Sequence, residues 1–163
     1  MTQIIKSILN QGERIGWRAL LMQGLVTYSQ PLYQSWFRKQ QVPWNISTKQ
    51  LLNYPMHSLG RELGEFLKKY NFSLMAQFES HDVFHVLLGY KPAVLDEARM
   101  QYCLLGSGRR SLYTLGTCLI ASLIYPDFLL DFKHHYQRGC GLENFSYWDF
   151  EAMLSMDIGQ VIL

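Results

Sequence analysis

The chain has 163 residues, of which 48% are hydrophobic, 17% charged and 14% aromatic; this size suits a single domain, and the composition excludes disorder, collagen-like repeats and charge-driven tails. Fifteen Lys and Arg against thirteen Asp and Glu leave a formal charge of +2, too weak a field for a nucleic-acid partner held through bulk charge. Cys103, Cys118 and Cys140 are odd in number and too widely spaced for a CxxC clamp, which fits a reducing compartment better than a disulfide framework. The longest uncharged run, Leu112 to Tyr125, is closed by Pro126 and Asp127 and falls short of the ~20 apolar residues of a membrane span. Met1 to Asn10 lacks the apolar stretch of a secretory signal, and Glu13 argues against a transit peptide.

Taken in chain order, Ile4, Ile8, Gly12, Ile15, Ala19, Met22 and Val26 recur at helical spacing, with Pro31 as the latest end of that helix. The aromatics Tyr33, Trp36, Phe37 and Trp44 lie among Arg38 and Lys39, a mix that suits either a membrane-surface contact or a loop packing its rings inward. Ser58 is an expected N-cap for a helix carrying Leu59, Leu63, Phe66, Leu67 and Tyr70. Leu74, Phe78, His81, His85 and Leu88 then form an apolar stripe with two histidines on it. Gly89 ends that helix, and Pro92 suits the first turn of the next, which runs back antiparallel to about Leu105 before Gly106-Ser107-Gly108. A further helix is expected from Ser111 to Tyr125, with weaker ones over Asp127–Arg138 and Asp149–Ser155. No period-two run or hairpin turn is present, so the reading is an all-α, single multi-helix domain spanning 1–163.

Chemistry concentrates on the histidine helix. His81 and His85 are four apart, about 40° around a helix, so both rings can converge on one ion, with Asp82 at the rim. Glu97, five residues beyond Pro92 on the returning helix, reaches a similar depth and supplies a fourth ligand. Two imidazoles and two carboxylates suit zinc, with iron or manganese as alternatives. The plainer reading is a pair of solvated or hydrogen-bonded histidines on a helix end; four ionisable groups gathered without an ion would be costly to bury, which favours the metal. The spacing differs from an HExxH protease helix in its shorter Asp at the second position. His134 and His135 are adjacent, point about 100° apart on a helix and read as surface residues.

His81-Asp82-Val83-Phe84-His85, followed after eleven residues by Glu97, resembles the HDxxH-x11-E motif of the coenzyme Q biosynthesis protein four family. Leu59-Gly60-Arg61-Glu62, Leu88-Gly89-Tyr90, Tyr136-Gln137-Arg138-Gly139 and the stretch from Glu151 to Leu163 resemble family segments in the same order, so the likeness covers about Tyr54 onward. The resemblance implies an all-helical, bacterial-type protein that lies peripherally on the cytoplasmic face of the inner membrane. It also implies a prenylated quinone precursor or other isoprenoid lipid as partner, alongside quinone-biosynthesis enzymes, and a metal-dependent lyase that removes the C1 carboxylate of a polyprenyl hydroxybenzoate. The family's metal and catalytic residues carry over onto His81, Asp82, His85 and Glu97.

A prenyl tail needs an apolar slot, and Leu115, Gly116 and Leu119, within the stripe Leu112 to Ile124, are candidates for its lining, although the same stripe also suits ordinary core. Arg61, beside Gly60, is the candidate for the head-group carboxylate, ahead of Arg109 and Arg110. Two other functions stay open. One is a non-catalytic lipid-binding scaffold with a structural metal. The other is an HD-type phosphohydrolase that recruits His57 and Asp127 and leaves His85 and Glu97 without a role.

Overall fold

The computed structural model describes residues 16–22, 24, 25 and 42–161. Most of the first expected helix and the segment from Pro31 to Gln41, with Tyr33, Trp36 and Phe37, lie outside these residues. Among the described residues the chain is helical without strands; its β-type pairing is an isolated bridge between Ser58 and Asp157. The all-α reading holds. Two packed units are present, and each has its own logic.

One unit contains α1 (Thr48–Leu51), α2 (Leu59–Tyr70), α3 (Glu79–Leu88) and, near the C-terminus, α7 (Ile158–Val161). Ser58 caps α2, its side chain accepting the Arg61 N–H at 3.2 Å, and Leu59, Leu63 and Leu67 are buried. Two further N–H groups at this helix start are satisfied by chain from the far end of the sequence. Leu59 donates to the Met156 carbonyl at 2.9 Å and Gly60 to that of Leu154 at 2.8 Å, so the C-terminal segment closes the open end of α2. Gly60 suits this approach, because a Cβ there would come within 2.9 Å of the Leu154 carbonyl. The segment expected to be helical at Asp149–Ser155 consists instead of successive turns closed by i→i+3 bonds, such as Leu154 N to Glu151 O at 3.3 Å. A short helix follows at Ile158–Val161. The four-residue α1 was not foreseen; its signal is the reciprocal capping box of Ser47 and Gln50.

The other unit contains α4 (Val94–Gly106), α5 (Leu112–Ile124), a 3-10 turn at Pro126–Phe128 and α6 (Leu129–Cys140), together with the helical residues 17–22 and 24–25. Pro92 lies outside α4 rather than in its first turn, since Ala93 is the N-cap. The described core gathers Met22, Ala98, Ala121, Tyr125 and Phe132. Tyr102 stacks on Phe132 with centroids 4.8 Å apart and donates to the Cys118 carbonyl at 3.1 Å. Arg18 grips both carboxylate oxygens of Asp127, at 2.7 and 2.9 Å, and holds that carboxyl below the usual range.

α4 and α6 approach until their backbones touch. A Cβ at Gly139 would fall on the Cys103 carbonyl, and one at Gly106 on the Tyr136 carbonyl. Arg99 of α4 locks the pair by donating to Asp131 of α6 and to Asp96, each at 2.8 Å. Burial alone would lower the Arg99 pKa, but these two ionic hydrogen bonds outweigh it and hold it above its ordinary value. Gly139→Ala should therefore cost about 3 kcal/mol through forced separation of the helices. Gly116→Ala, on α5 with open space around the position, should gain up to about 1 kcal/mol from helix propensity. Thermal melting of the two variants should move in opposite directions, and equal melting temperatures would contradict the close approach.

Candidate metal centre

α3 begins without a side-chain cap; its first turn carries Glu79 and Asp82, whose negative charge suits the positive end of the helix. Glu79 is buried and accepts the Trp44 backbone N–H at 3.2 Å, so this carboxylate serves the fold. The helix ends at Gly89, whose φ of 72° lies in the left-handed region that glycine enters without strain. The turn presents the Tyr90 carbonyl to His85 Nδ1 at 3.1 Å. A carbonyl oxygen only accepts, so Nδ1 carries the proton and Nε2 carries the lone pair. Phe66 of α2 stacks on the same ring, centroids 5.6 Å apart and planes 16° from parallel, which fixes the imidazole on a second side.

His81 and His85 point their Nε2 atoms at each other across 3.3 Å, with the rings 79° apart. Two nitrogens bound to one zinc at ~2.0–2.1 Å in tetrahedral geometry are separated by about 3.3–3.4 Å, so the pair already has a coordination edge. Glu97, the carboxylate that the sequence pattern adds to this pair, stands on α4. His85 and Glu97 are buried and His81 is half-buried. Two convergent imidazoles suit zinc or another divalent first-row ion, and a carboxylate as third protein ligand would leave a coordination position for water or substrate.

Of the four expected ligands, His81 and His85 are brought together on α3; Asp82 is half-buried on the first turn of the same helix, and Glu97 is buried on α4. Arg61 is engaged locally, its guanidinium donating to Glu65 at 2.8 Å and to the Leu52 carbonyl. Leu115 and Leu119 lie on the outer face of α5, 43% and 63% exposed, with Gly116 beside them, and Leu112 and Leu123 extend the same face. The inner face of α5 buries Thr114, Thr117, Cys118 and Ala121 instead. Among the described residues no single helix is long and apolar enough to cross a membrane; α5 and the following segment Pro126–Cys140 meet at 107°. Asp127 is committed to Arg18, and His57 is exposed. His134 is exposed and His135 approaches Asp131 at 3.7 Å, in keeping with their surface reading.

What sequence reasoning missed lies behind the ligands. Tyr90 acts through its carbonyl, which no side-chain pattern reveals. Gln101, one turn beyond Glu97 on α4, donates to Glu97 Oε1 at 3.0 Å; the spacing of four was a visible signal.

Fold and site together define a helical protein with a paired-histidine site suited to a divalent metal. No protein-family model matches the chain, and no curated protein matches it.

None of the three cysteines forms a disulfide: Cys103 and Cys118 are buried and Cys140 is exposed. Burial pushes the Cys118 thiol up to about 12, far from thiolate at neutral pH. Iodoacetamide should label Cys140 alone in the native protein, with or without added zinc. Labelling of Cys118 at a comparable rate, read by mass spectrometry, would contradict its placement.

Proposed function

We propose that this protein binds a divalent metal through His81, His85 and Glu97 and uses it on a prenylated aromatic acid, removing the C1 carboxylate of a polyprenyl hydroxybenzoate at a membrane surface. The observation that carries the metal reading is the Nε2–Nε2 edge of 3.3 Å, with His85 held in its ligating tautomer by Tyr90. The substrate class rests on the resemblance of the HDxxH-x11-E pattern and is the finer part of the proposal. Zinc is the favoured ion for this mixed N/O set, with iron or manganese also compatible.

A bound divalent ion supplies Lewis-acid polarisation of an oxygen on the head group, stabilising charge that develops as carbon dioxide leaves. The protein's part is to keep its ligands ready. Tyr90 and Phe66 fix the His85 ring, so little side-chain freedom is lost on coordination. Asp82, next to His81 in the chain, is the proposed further contributor, as a ligand or by orienting a histidine. The exposed leucines of α5, Leu112, Leu115, Leu119 and Leu123, offer the apolar surface that an isoprenoid tail or the lipid around it requires. Arg61 stands on the opposite account, since its guanidinium already serves Glu65 and Leu52; a head-group role would require it to exchange these partners.

The test combines metal analysis with turnover. Wild-type protein should purify with, or take up, close to one equivalent of zinc. His81→Ala, His85→Ala and Glu97→Ala should each lose it, and Asp82→Asn should weaken binding by about 10-fold, the usual scale for an outer ligand partner. With metal, the wild-type protein should release carbon dioxide from a prenylated hydroxybenzoate. Binding of that lipid without carbon dioxide release would replace the enzyme with a lipid-presenting scaffold. Zinc retained in folded His85→Ala protein would overturn the site.

A further inference from the structure

Glu97 is held by hydrogen bonds that run in one direction. An ionised carboxylate only accepts, so the 3.0 Å contact from Gln101 to Glu97 Oε1 uses the amide N–H. The Gln101 carbonyl oxygen must then be the acceptor of its other contact, and the Thr114 hydroxyl donates to it at 3.0 Å. With its proton so committed, Thr114 Oγ1 accepts from the Ser111 hydroxyl at 2.9 Å. Ser111 is the N-cap of α5 and also receives the Thr114 backbone N–H at 3.1 Å, so the chain is anchored to a helix terminus. Gln101 is 1% exposed and Thr114 fully buried. Water therefore cannot take over if one member is removed, and an interrupted network leaves a buried polar group unsatisfied.

We propose that Gln101, locked by Thr114, is a positioning residue for the metal centre: it fixes the plane of the Glu97 carboxylate through the hydrogen bond to Oε1. This rests on the metal reading above and adds what that reading lacks, the reason a carboxylate of α4 is presented in one orientation. Every donor in the chain points toward Glu97, so the dipoles add at the carboxylate rather than cancel. Neighbours that hydrogen-bond a ligand tune its affinity for the ion, typically by 10- to 100-fold. A glutamine that only satisfied the interior would contribute to melting temperature and leave the ion's electronic environment unchanged.

Cobalt(II) separates the two roles, because its visible absorption reports ligand geometry directly. Full-length protein stripped of metal is titrated with Co(II) as wild type, Gln101→Met, Thr114→Val, Thr114→Ser and His85→Ala. Gln101→Met should bind Co(II) about 10- to 100-fold more weakly, with a shifted absorption band. Thr114→Val should move both readouts in the same direction, while Thr114→Ser, which keeps the hydroxyl, should restore wild-type values. Unchanged Co(II) affinity and spectrum in folded Gln101→Met, with binding lost in His85→Ala, would overturn this inference and leave the metal centre standing. If Gln101→Met fails to fold, equal Co(II) affinity and spectra in Thr114→Val and Thr114→Ser would overturn it. Wild-type protein that binds no Co(II) would overturn the metal centre and this inference together.

Discussion

Backbone contact between α4 and α6 sets the frame in which the unit around α4 is built. Gly106 and Gly139 let the two helices meet at the carbonyls of Tyr136 and Cys103, a separation that any Cβ would prevent. With no side chains between them, the helices leave little play in the axial position of α4. Arg99 then fixes the register through Asp131, and Tyr102 closes the neighbouring face against Phe132 and Cys118. α4 is thus constrained on two faces before its third is considered. That third face carries Glu97 and Gln101, four residues apart and both buried. A carboxylate intended as a ligand gains from a mount of this stiffness, because small displacements of a ligating atom weaken a metal site steeply.

In α3 the device is local. The left-handed Gly89 that terminates the helix also turns the Tyr90 carbonyl toward His85. One backbone conformation thereby ends an element and selects a tautomer. Phe66 adds a flat apolar wall against the imidazole, so the ring is held by one polar and one apolar neighbour. His85 spends its own proton on Tyr90, so the hydrogen bond between the two facing Nε2 atoms is donated by His81.

Much of this was legible in sequence. The Ser58 cap, the spacing of His81 and His85, the glycine stop at Gly89 and the span of α5 follow from local rules of side-chain periodicity and helix termini, and the structure bears them out. Other features depend on partners remote in sequence. The bonds from Leu59 and Gly60 to Met156 and Leu154 have no local signature. Neither does the Tyr90 carbonyl contact, which needs only a backbone conformation. At Asp149–Ser155 an apolar pattern suggested a helix, whereas the chain takes turns there and pairs with the start of α2.

α5 marks the limit of periodicity most clearly. Its sequence is apolar nearly all round, so spacing identifies a helix but cannot say which side is inside. Hydrophobicity alone would bury the leucines. The structure buries Thr114, Thr117, Cys118 and Ala121 and leaves Leu112, Leu115, Leu119 and Leu123 outward. Size and hydrogen bonding account for the inner choice: small side chains permit close packing, and Thr114 supplies the hydroxyl that Gln101 requires. Leucine in place of Thr114 would leave the Gln101 carbonyl buried without its donor, a cost of about 1–3 kcal/mol that extra apolar burial does not reliably offset. The outward leucines are the residue of that constraint. A helix whose inner face is committed to small and polar groups carries its hydrophobicity on the outside.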